Sequence, residues 1–307
     1  MAATFEHFVA FGTDIVGLER FLRFFQSIFL ILTSYPSLIA DFLLPSYPPS
    51  VHVSTETSLR QLQSHLNLTR RTIRLFWFLG SFQSSWALYT APAPDGKFIE
   101  TWLDVLAQSA FGMFGLMESA TLLDLARVDG VALFGADKAV RLDAEAQVLW
   151  LVALYASALG SGIRLLRLFA CRPVPQTGEG FGTALEKEPG AAPGDEAEKE
   201  RVKMKELAQR RKEERKTWLK EFNDKAGALG MKLLAEMLDL VIPATSIGWI
   251  KVDVGFVGVV MFCSTVLTGM AVWAKCGKQL QKRSAEISIE TATLTYRELL
   301  YGLVNTA

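Results

Sequence analysis

The stretch VGFVGVVMFCSTVLTGMAVWA, residues 254–274, contains no charged side chain in 21 positions and lies between Asp253 and Lys275. As an α-helix it would be about 31 Å long, which matches the roughly 30 Å hydrocarbon core of a bilayer. The alternative is a buried core helix, but such helices are usually shorter. The stretch therefore predicts a transmembrane helix over 254–274.

Other apolar stretches favour a bundle of helices around this span. AQVLWLVALYASALGSGI, residues 146–163, is a second candidate membrane segment, with a buried or interfacial helix as the alternative. Residues 24–40 are uncharged but interrupted by Pro36, which indicates a membrane-associated helix. Residues 101–125 are apolar but hold three acidic residues, which suits a bundle or interfacial helix. Strand-like alternation is nearly absent, so the predicted fold class is all-α, an integral membrane helical bundle.

The composition excludes several classes of function. Half of the residues are hydrophobic, mean hydropathy is +0.24, and 32 Lys and Arg balance 32 Asp and Glu. No net basic field indicates binding to nucleic acid. Three cysteines and three histidines are scattered without the spacing of a disulfide framework or a metal site. No phosphate-binding loop is present either, so we expect neither enzymatic activity nor a cofactor.

The middle of the chain differs in composition from both ends. Residues 171–200 are rich in Pro, Gly and charge, which predicts a disordered linker. The mixed charges of 201–225 predict a solvated helix. The remaining predicted regions are N-terminal helices in 1–90, an apolar helical region in 91–170, a C-terminal segment with the span in 226–275, and a tail in 276–307.

The stretch LNLTRRTIRLFWFL, residues 66–79, combines arginines with large apolar residues. On a helix over 58–80, one arc of about 100° holds the apolar set: Leu59, Leu62, Leu66, Ile73, Phe76 and Trp77. An adjoining arc holds the basic and amide set: Arg60, Gln63, Asn67, Arg70, Arg71 and Arg74.

Such a helix can lie in a membrane interface, with arginines on anionic lipid phosphates and apolar residues among the acyl chains. A helix inserted in this way acts as a wedge that expands one leaflet of the bilayer, and this expansion favours membrane curvature. The alternative is a helix that packs on a neighbouring helix with its arginines in water. The membrane interpretation predicts that glutamates at 70, 71 and 74 abolish elongation of the membrane to which the chain binds, but leave the targeting of the chain to that membrane normal. The predicted membrane-binding residues are Arg60, Leu62, Leu66, Arg70, Arg71, Ile73, Arg74, Phe76 and Trp77.

Three blocks of this sequence resemble the peroxisomal biogenesis factor 11 family. DLVIPATSIGWIKVDVGFVGVVMFCSTVLTGM, residues 239–270, resembles the family signature. LERFLRFFQ, residues 18–26, is similar to its opening helix, and residues 62–76 are similar to its amphipathic, membrane-bending segment. The residues that match the first two blocks are Arg20, Arg23, Gln26, Asp239, Pro243, Gly248, Gly255, Gly258 and Gly269.

The resemblance implies an integral protein of the peroxisomal membrane that elongates peroxisomes before fission and so controls their size and number. Self-association and the cytosolic fission machinery, a dynamin-related protein with its membrane adaptor, are the implied partners beside the phospholipid membrane. Both termini would lie in the cytosol. Pro243 would kink or start a helix, and Gly255 and Gly258 would permit close helix packing.

A pore or metabolite channel of the same membrane is the alternative function, because a bundle of apolar helices could enclose one. Its candidate residues are Glu118 and Asp124, which are six positions apart and so lie on different helix faces. Under this alternative, neutralising both carboxylates abolishes flux and leaves organelle shape unchanged.

Overall fold

The computed structural model describes residues 2–43, 47–93, 96–126, 130, 133–171 and 195–304. No strand occurs within these ranges, and the predicted all-α class is confirmed. Residues 172–194 of the predicted disordered linker lie outside the described residues. A π-helical turn, Ile39–Leu43, follows α3. The ten α-helices described are α1 (Ala2–Thr13), α2 (Ile15–Ser34), α3 (Pro36–Leu38), α4 (Pro49–Ile73), α5 (Trp77–Thr90), α6 (Ile99–Ala120), α7 (Leu122–Leu125), α8 (Ala136–Cys171), α9 (Asp195–Ser246) and α10 (Val254–Val304).

The chain divides into two compact units, residues 1–160 with 232–307, and residues 161–231. The second unit contains the whole of the charged helix predicted over 201–225, which belongs to the longer α9. Its residues 205–217 are all exposed, as expected for a helix with charges of both signs around it. Two ring contacts give this unit a small aromatic centre, in which Phe222 meets Phe169 and Trp218 at 5.3 Å each.

The first unit is built around the contact of α2 with α10. Phe24 and Phe262 place their rings 5.2 Å apart across this contact. Gly258 lies so close to α2 that a Cβ atom there would sit 2.9 Å from Cγ1 of Ile31. Gly255 likewise faces the ring of Tyr35. Because a side chain at either glycine would push α2 away, the close approach of the two helices depends on these positions.

Two helices, α8 and α10, are long and apolar enough to cross a membrane. They contain the predicted segments 146–163 and 254–274. Each exposes one apolar stripe with the helical spacing i, i+4, i+7, i+11. The stripes are Val148, Val152, Tyr155 and Leu159 on α8, and Val259, Cys263, Val266 and Met270 on α10. The buried face of α8 instead repeats small residues every seven positions, at Ala139, Ala146, Ala153 and Gly160. Small inward and large outward residues are typical of helices packed within lipid.

The boundary between α9 and α10 follows from local chemistry. Pro243 lies inside α9 and lacks the N–H that would bond to the carbonyl of Asp239. The helix ends in a Schellman motif, in which Gly248 has φ +79° and the N–H of Trp249 donates to Ala244 at 2.9 Å. Asp253 then caps α10 by accepting from the N–H of Gly255 at 3.0 Å.

The helix predicted over 58–80 is not continuous in the structure. It ends at Ile73, a turn covers residues 74–76, and α5 starts at Trp77. The hydroxyl of Ser119 on α6 donates to the carbonyl of Leu75 at 2.6 Å, which satisfies one acceptor that the break releases. Tertiary contacts of this kind are invisible to helical periodicity, which is why the sequence indicated one helix.

Candidate functional site

Five arginines and four carboxylates from the N-terminal and C-terminal parts of the first unit converge in its interior. They come from α2, α4 with the turn after it, α6, α8 and α9. We call them the charge cluster: Arg20, Arg23, Arg70, Arg71, Arg74, Glu19, Glu118, Asp143 and Asp239. Burying a charge lowers the stability of the fold unless the charge is paired, so the loss of any one ion pair in this cluster would destabilise the protein.

Arg70 joins α4 to α2. Its Nε and Nη2 donate to Oε1 of Glu19 at 2.9 and 2.5 Å, and its Nη1 donates to Gln26 at 2.5 Å. Arg70 is 6% exposed and Glu19 is 1% exposed. Burial raises the pKa of Glu19, but the guanidinium groups of Arg70, Arg20, Arg74 and Arg23 outweigh it and lower this pKa from 4.5 to about 2. Glu19 is therefore a buried carboxylate that stays charged.

Arg71 and Arg74 join the end of α4 to α6 and α8. Arg71 holds Asp143 with two hydrogen bonds, from Nη1 at 2.9 Å and from Nη2 at 3.2 Å. Arg74 donates from Nη2 to Glu118 at 2.6 Å. Glu118 also lies 3.7 Å from Nε of Arg71, so one carboxylate serves both arginines. Planar guanidinium groups suit such two-point contacts.

Arg23 joins α2 to α9 and α10. Its guanidinium pairs with both carboxylate oxygens of Asp239, and Nη2 also donates to the hydroxyl of Ser264 at 3.2 Å. Arg23 and Asp239 are both buried. Pro243, four residues after Asp239, breaks the regular hydrogen bonding of α9 beside this pair. The Asp-x-x-x-Pro pattern thus places a carboxylate at a weakened point of the helix, against α2.

A cavity of about 390 Å³ lies beside the charge cluster, within the first unit. Its polar wall holds four arginines, two carboxylates and three amides: Arg23, Arg70, Arg71, Arg74, Glu118, Asp143, Gln26, Asn67 and Gln147. Its apolar wall includes Phe114 and Trp150, whose rings stack with centroids 5.4 Å apart. The cavity is large enough for a small organic molecule.

The structure brings together four residues that the family resemblance singled out in the sequence. Arg20, Arg23, Gln26 and Asp239 lie in or next to the charge cluster. Pro243, Gly255 and Gly258 are buried, Gly269 is half-buried, and Gly248 is exposed at the end of α9.

The predicted membrane-binding residues are spread over different environments. Arg60, Leu62 and Phe76 are exposed, while Leu66, Arg71, Ile73, Arg74 and Trp77 are half-buried and Arg70 is buried. The C-terminal part of the basic arc, from Arg70 to Arg74, thus turns inward, towards carboxylates of other helices, whereas Arg60 pairs with Glu56 on α4 itself. Its most exposed arc is polar and uncharged, and carries Ser58, Gln61, His65, Thr69 and Thr72. The lipid-binding role of this helix stays a prediction, and the structure gives each of its four arginines a carboxylate partner.

Sequence reasoning missed Glu19 and Asp143 as members of the site. Glu19, Arg23 and Gln26 have the spacing i, i+4, i+7, which puts them on one face of α2. This spacing could have predicted that α2 turns a polar face towards the interior. Asp143 offered no such sign, because its partner Arg71 is 72 positions away.

Both carboxylates suggested for a pore are engaged in the structure. Glu118 pairs with Arg74 and Arg71, as described above. Asp124 accepts from the backbone N–H groups of Leu133, Phe134 and Gly135 at 3.0 to 3.3 Å, which ties the loop before α8 to α7. Within the described ranges, no three His, Cys, Asp or Glu side chains are grouped as a metal site would require.

Aromatic residues mark both ends of the apolar part of α10. Trp249 and Tyr35 are exposed near its start. Near its other end, Trp273 stacks on His7 at 4.0 Å, and its carbonyl lies 2.7 Å from Nε2 of that ring. Aromatic rings gather at membrane–water interfaces, so their positions fit a span over 254–274.

The family model of Peroxisomal biogenesis factor 11 (PEX11) matches residues 5–273, most of the chain and all of the charge cluster. No curated protein and no solved structure matches this chain significantly.

Proposed function

This chain belongs to the peroxisomal biogenesis factor 11 family, and from that premise we propose that it bends and elongates the peroxisomal membrane before fission. The family is one of peroxisome biogenesis factors, and membership implies association with the peroxisomal membrane. The proposal adds the physical step, which is deformation of the bilayer by this chain.

The observation that carries the proposal is the distribution of polarity in the first unit. Nine of its ionic groups lie inside, in the charge cluster, whereas α6, α8 and α10 expose large apolar residues in helical stripes. On α6 these are Trp102, Leu106, Met113 and Leu116. A protein in water has the reverse arrangement, because exposed apolar area is unfavourable there. In a bilayer, charges face the bundle interior and pair with one another.

The junction of α4 and α5 is the part that we propose to insert as a wedge. Phe76 and Leu79 are 67% and 56% exposed at this junction, and Leu62 is exposed on α4. Burying a large apolar side chain contributes about 1.5–3 kcal/mol, so a few such residues suffice to hold a junction in one leaflet. Arg70, Arg71 and Arg74 hold the junction on the bundle through their carboxylate partners.

The remaining parts of the proposal rest on the family resemblance. Self-association would concentrate the wedges, and the cytosolic fission machinery, a dynamin-related protein with its membrane adaptor, would cut the resulting tubule. Both termini would lie on the cytosolic side.

The test replaces the apolar side chains of the junction and leaves the cluster intact. We expect the double variant Phe76→Ser, Leu79→Ser to reach peroxisomes but to tubulate vesicles and elongate peroxisomes at least several-fold less than the parent, because the wedge loses its apolar area. The matched control is Leu133→Ser, Phe134→Ser, which removes one exposed leucine and one exposed phenylalanine before α8. Equal tubulation by the junction variant and the parent would refute the wedge.

Changing Arg70, Arg71 and Arg74 to glutamate is a poor test in the light of the structure. The change would place new negative charges against Glu19, Glu118 and Asp143 in the interior. Loss of elongation would then follow from loss of the fold.

A further inference from the structure

The closed end of the hairpin formed by α5 and α6 exposes aromatic side chains that neither the charge cluster nor the wedge explains. We call its four residues the aromatic tip: Trp86 and Tyr89 near the end of α5, Lys97 in the connection, and Trp102 in the first turn of α6. We propose that the aromatic tip binds the headgroup layer of a phospholipid bilayer and anchors the hairpin at the membrane–water boundary. The proposal rests on the membrane embedding that the proposed function also uses, but not on the wedge.

The aromatic tip is separate from the charge cluster. Contacts between α5 and α6 hold the hairpin together, and the hydroxyl of Ser85 donates to the carbonyl of Val105 at 3.1 Å and lies 2.8 Å from the hydroxyl of Ser109. The α6 member of the charge cluster, Glu118, is about 24 Å along the helix from Trp102. A ligand of the aromatic tip would therefore leave the buried ion pairs untouched.

The three rings of the aromatic tip form one exposed surface. Tyr89 lies between the two tryptophans, with ring centroids 5.9 Å from Trp86 and 6.1 Å from Trp102. Trp86 is 65% exposed, Tyr89 52% and Trp102 50%. Exposing large adjoining rings to water is unfavourable, and such surfaces usually mark a site of interaction. We therefore expect this surface to be covered when the protein is in its membrane.

The residue types of the aromatic tip fit the headgroup layer. Tryptophan and tyrosine gather there because each has an apolar body and one polar group that can meet water or a phosphate. Nζ of Lys97 lies 5.3 Å from the ring centroid of Tyr89 and 6.0 Å from that of Trp102. A lysine can lay its apolar stem on such rings while its ammonium group remains at the polar boundary.

The end of α5 is closed in a way that suits a setting with little water. The N–H that would continue the helix to the carbonyl of Leu88 is missing, because residue 92 is a proline. The ammonium group of Lys97 donates to this carbonyl at 2.8 Å, and also to the carbonyl of Tyr89. In water, solvent would satisfy both acceptors, whereas an unsatisfied carbonyl costs more where lipid replaces water.

The exposed face of α6 changes in character with distance from the aromatic tip. Trp102 is followed along the exposed stripe by Leu106, Met113 and Leu116. Aromatic residues at one end and aliphatic residues beyond them follow the order from headgroups to acyl chains. The aromatic tip is therefore continuous with a surface suited to lipid, which favours a bilayer over a protein partner as its occupant.

Quenching of tryptophan fluorescence at different depths tests the proposal. The full chain is placed as a single copy in nanodiscs whose lipids are brominated near either the headgroup end or the methyl end of the acyl chains. The difference in emission between the parent and the variant Trp86→Phe, Trp102→Phe gives the emission of the aromatic tip. We expect headgroup-end bromine to quench this emission at least about twofold more than methyl-end bromine, because interfacial rings lie at the headgroup level.

Phenylalanine keeps an apolar ring at each position, and the two single variants replace the double variant if it folds poorly. The control for embedding is Trp249→Phe, which reports on a 75% exposed tryptophan near the start of α10. Iodide in the water gives the opposite arm, since it should quench the emission of the aromatic tip less than headgroup-end bromine does.

The outcomes separate this proposal from the proposed function. If iodide quenches the aromatic tip and bromine does not, while bromine quenches Trp249, the tip faces water and the anchor alone is refuted. Protection from both quenchers would mean that protein covers the tip, and stronger quenching by methyl-end bromine would place it in the acyl core. Either result also overturns the anchor. If bromine quenches neither the tip nor Trp249, the membrane embedding fails, and the proposed function fails with it.

Discussion

At the scale of single residues, the pairing of Arg23 with Asp239 connects the two ends of the chain, which are 216 positions apart. Both partners are taken from water, so the attraction between them mainly offsets their loss of hydration. The pair therefore contributes more to the choice of partner helices than to net stability. The hydroxyl of Ser264 adds a third contact, which places α10 in the same arrangement.

Removing one partner of this buried pair should lower the free energy of unfolding much more than removing one partner of an exposed pair. We expect Asp239→Asn to lower the free energy of unfolding in mixed micelles by about 3–5 kcal/mol, because Arg23 remains buried without a full counter-charge. The exposed pair of Lys282 and Glu286 on α10 is the control, and Glu286→Gln should cost less than about 1 kcal/mol. Equal losses in the two variants would mean that Asp239 is solvated rather than buried.

The sequence predicted only some of the residues of the charge cluster. The family resemblance pointed to Arg23 and Asp239 as members of a motif, and periodicity separated Arg70 and Arg74 from the apolar residues of α4. Neither signal named their partners, because ion pairs between distant helices leave no local pattern. A basic helical face looks the same in sequence whether phosphates or carboxylates cover it, and here Glu19, Glu118 and Asp143 contact it.

At the scale of elements, length and lack of charge were sufficient to predict the apolar helix over 254–274, and the structure gives it as part of α10. The break between α4 and α5 was not predictable, since its support comes from Ser119 on another helix. The glycines of the family motif also differ, because one of them has the predicted packing role and another does not. Gly258 contacts α2 closely, whereas a Cβ at Gly269, one further motif glycine, would meet nothing within 4 Å.

The two glycines allow a matched test of the contact between α2 and α10. We expect Gly258→Leu to lower the free energy of unfolding by about 1–3 kcal/mol or more, because the new side chain overlaps Ile31 and separates the helices. Gly269→Leu should be neutral or slightly stabilising, since leucine is the better helix former and has open space. Chemical unfolding of both variants in the same micelles gives the comparison. A larger loss at position 269 than at 258 would contradict the packing described for α10.

At the scale of the whole first unit, the pair of Arg23 and Asp239 lies level with the middle of the predicted membrane span. Ser264 is the middle residue of 254–274 and contacts Arg23. If 254–274 crosses the bilayer, Arg23 and Asp239 lie near its mid-depth and must be shielded by the surrounding helices. The small inward residues of α8 and the glycines of α10 allow the helices to pack closely enough for this shielding.

The natural cysteines can show whether α10 lies in lipid. Cys263 belongs to its outward apolar stripe, Cys171 is exposed at the end of α8, and Cys276 is buried. In nanodiscs, which leave both membrane faces open to reagents, a charged maleimide should label Cys171 at least about tenfold faster than Cys263, because a charged reagent does not enter the hydrocarbon core. Unfolding in SDS should make all three cysteines react and serves as the control for intact thiols. If Cys263 reacts as fast as Cys171 in the nanodisc, its helix face contacts water, the span over 254–274 is wrong, and the buried charges belong to a bundle that lies outside the bilayer.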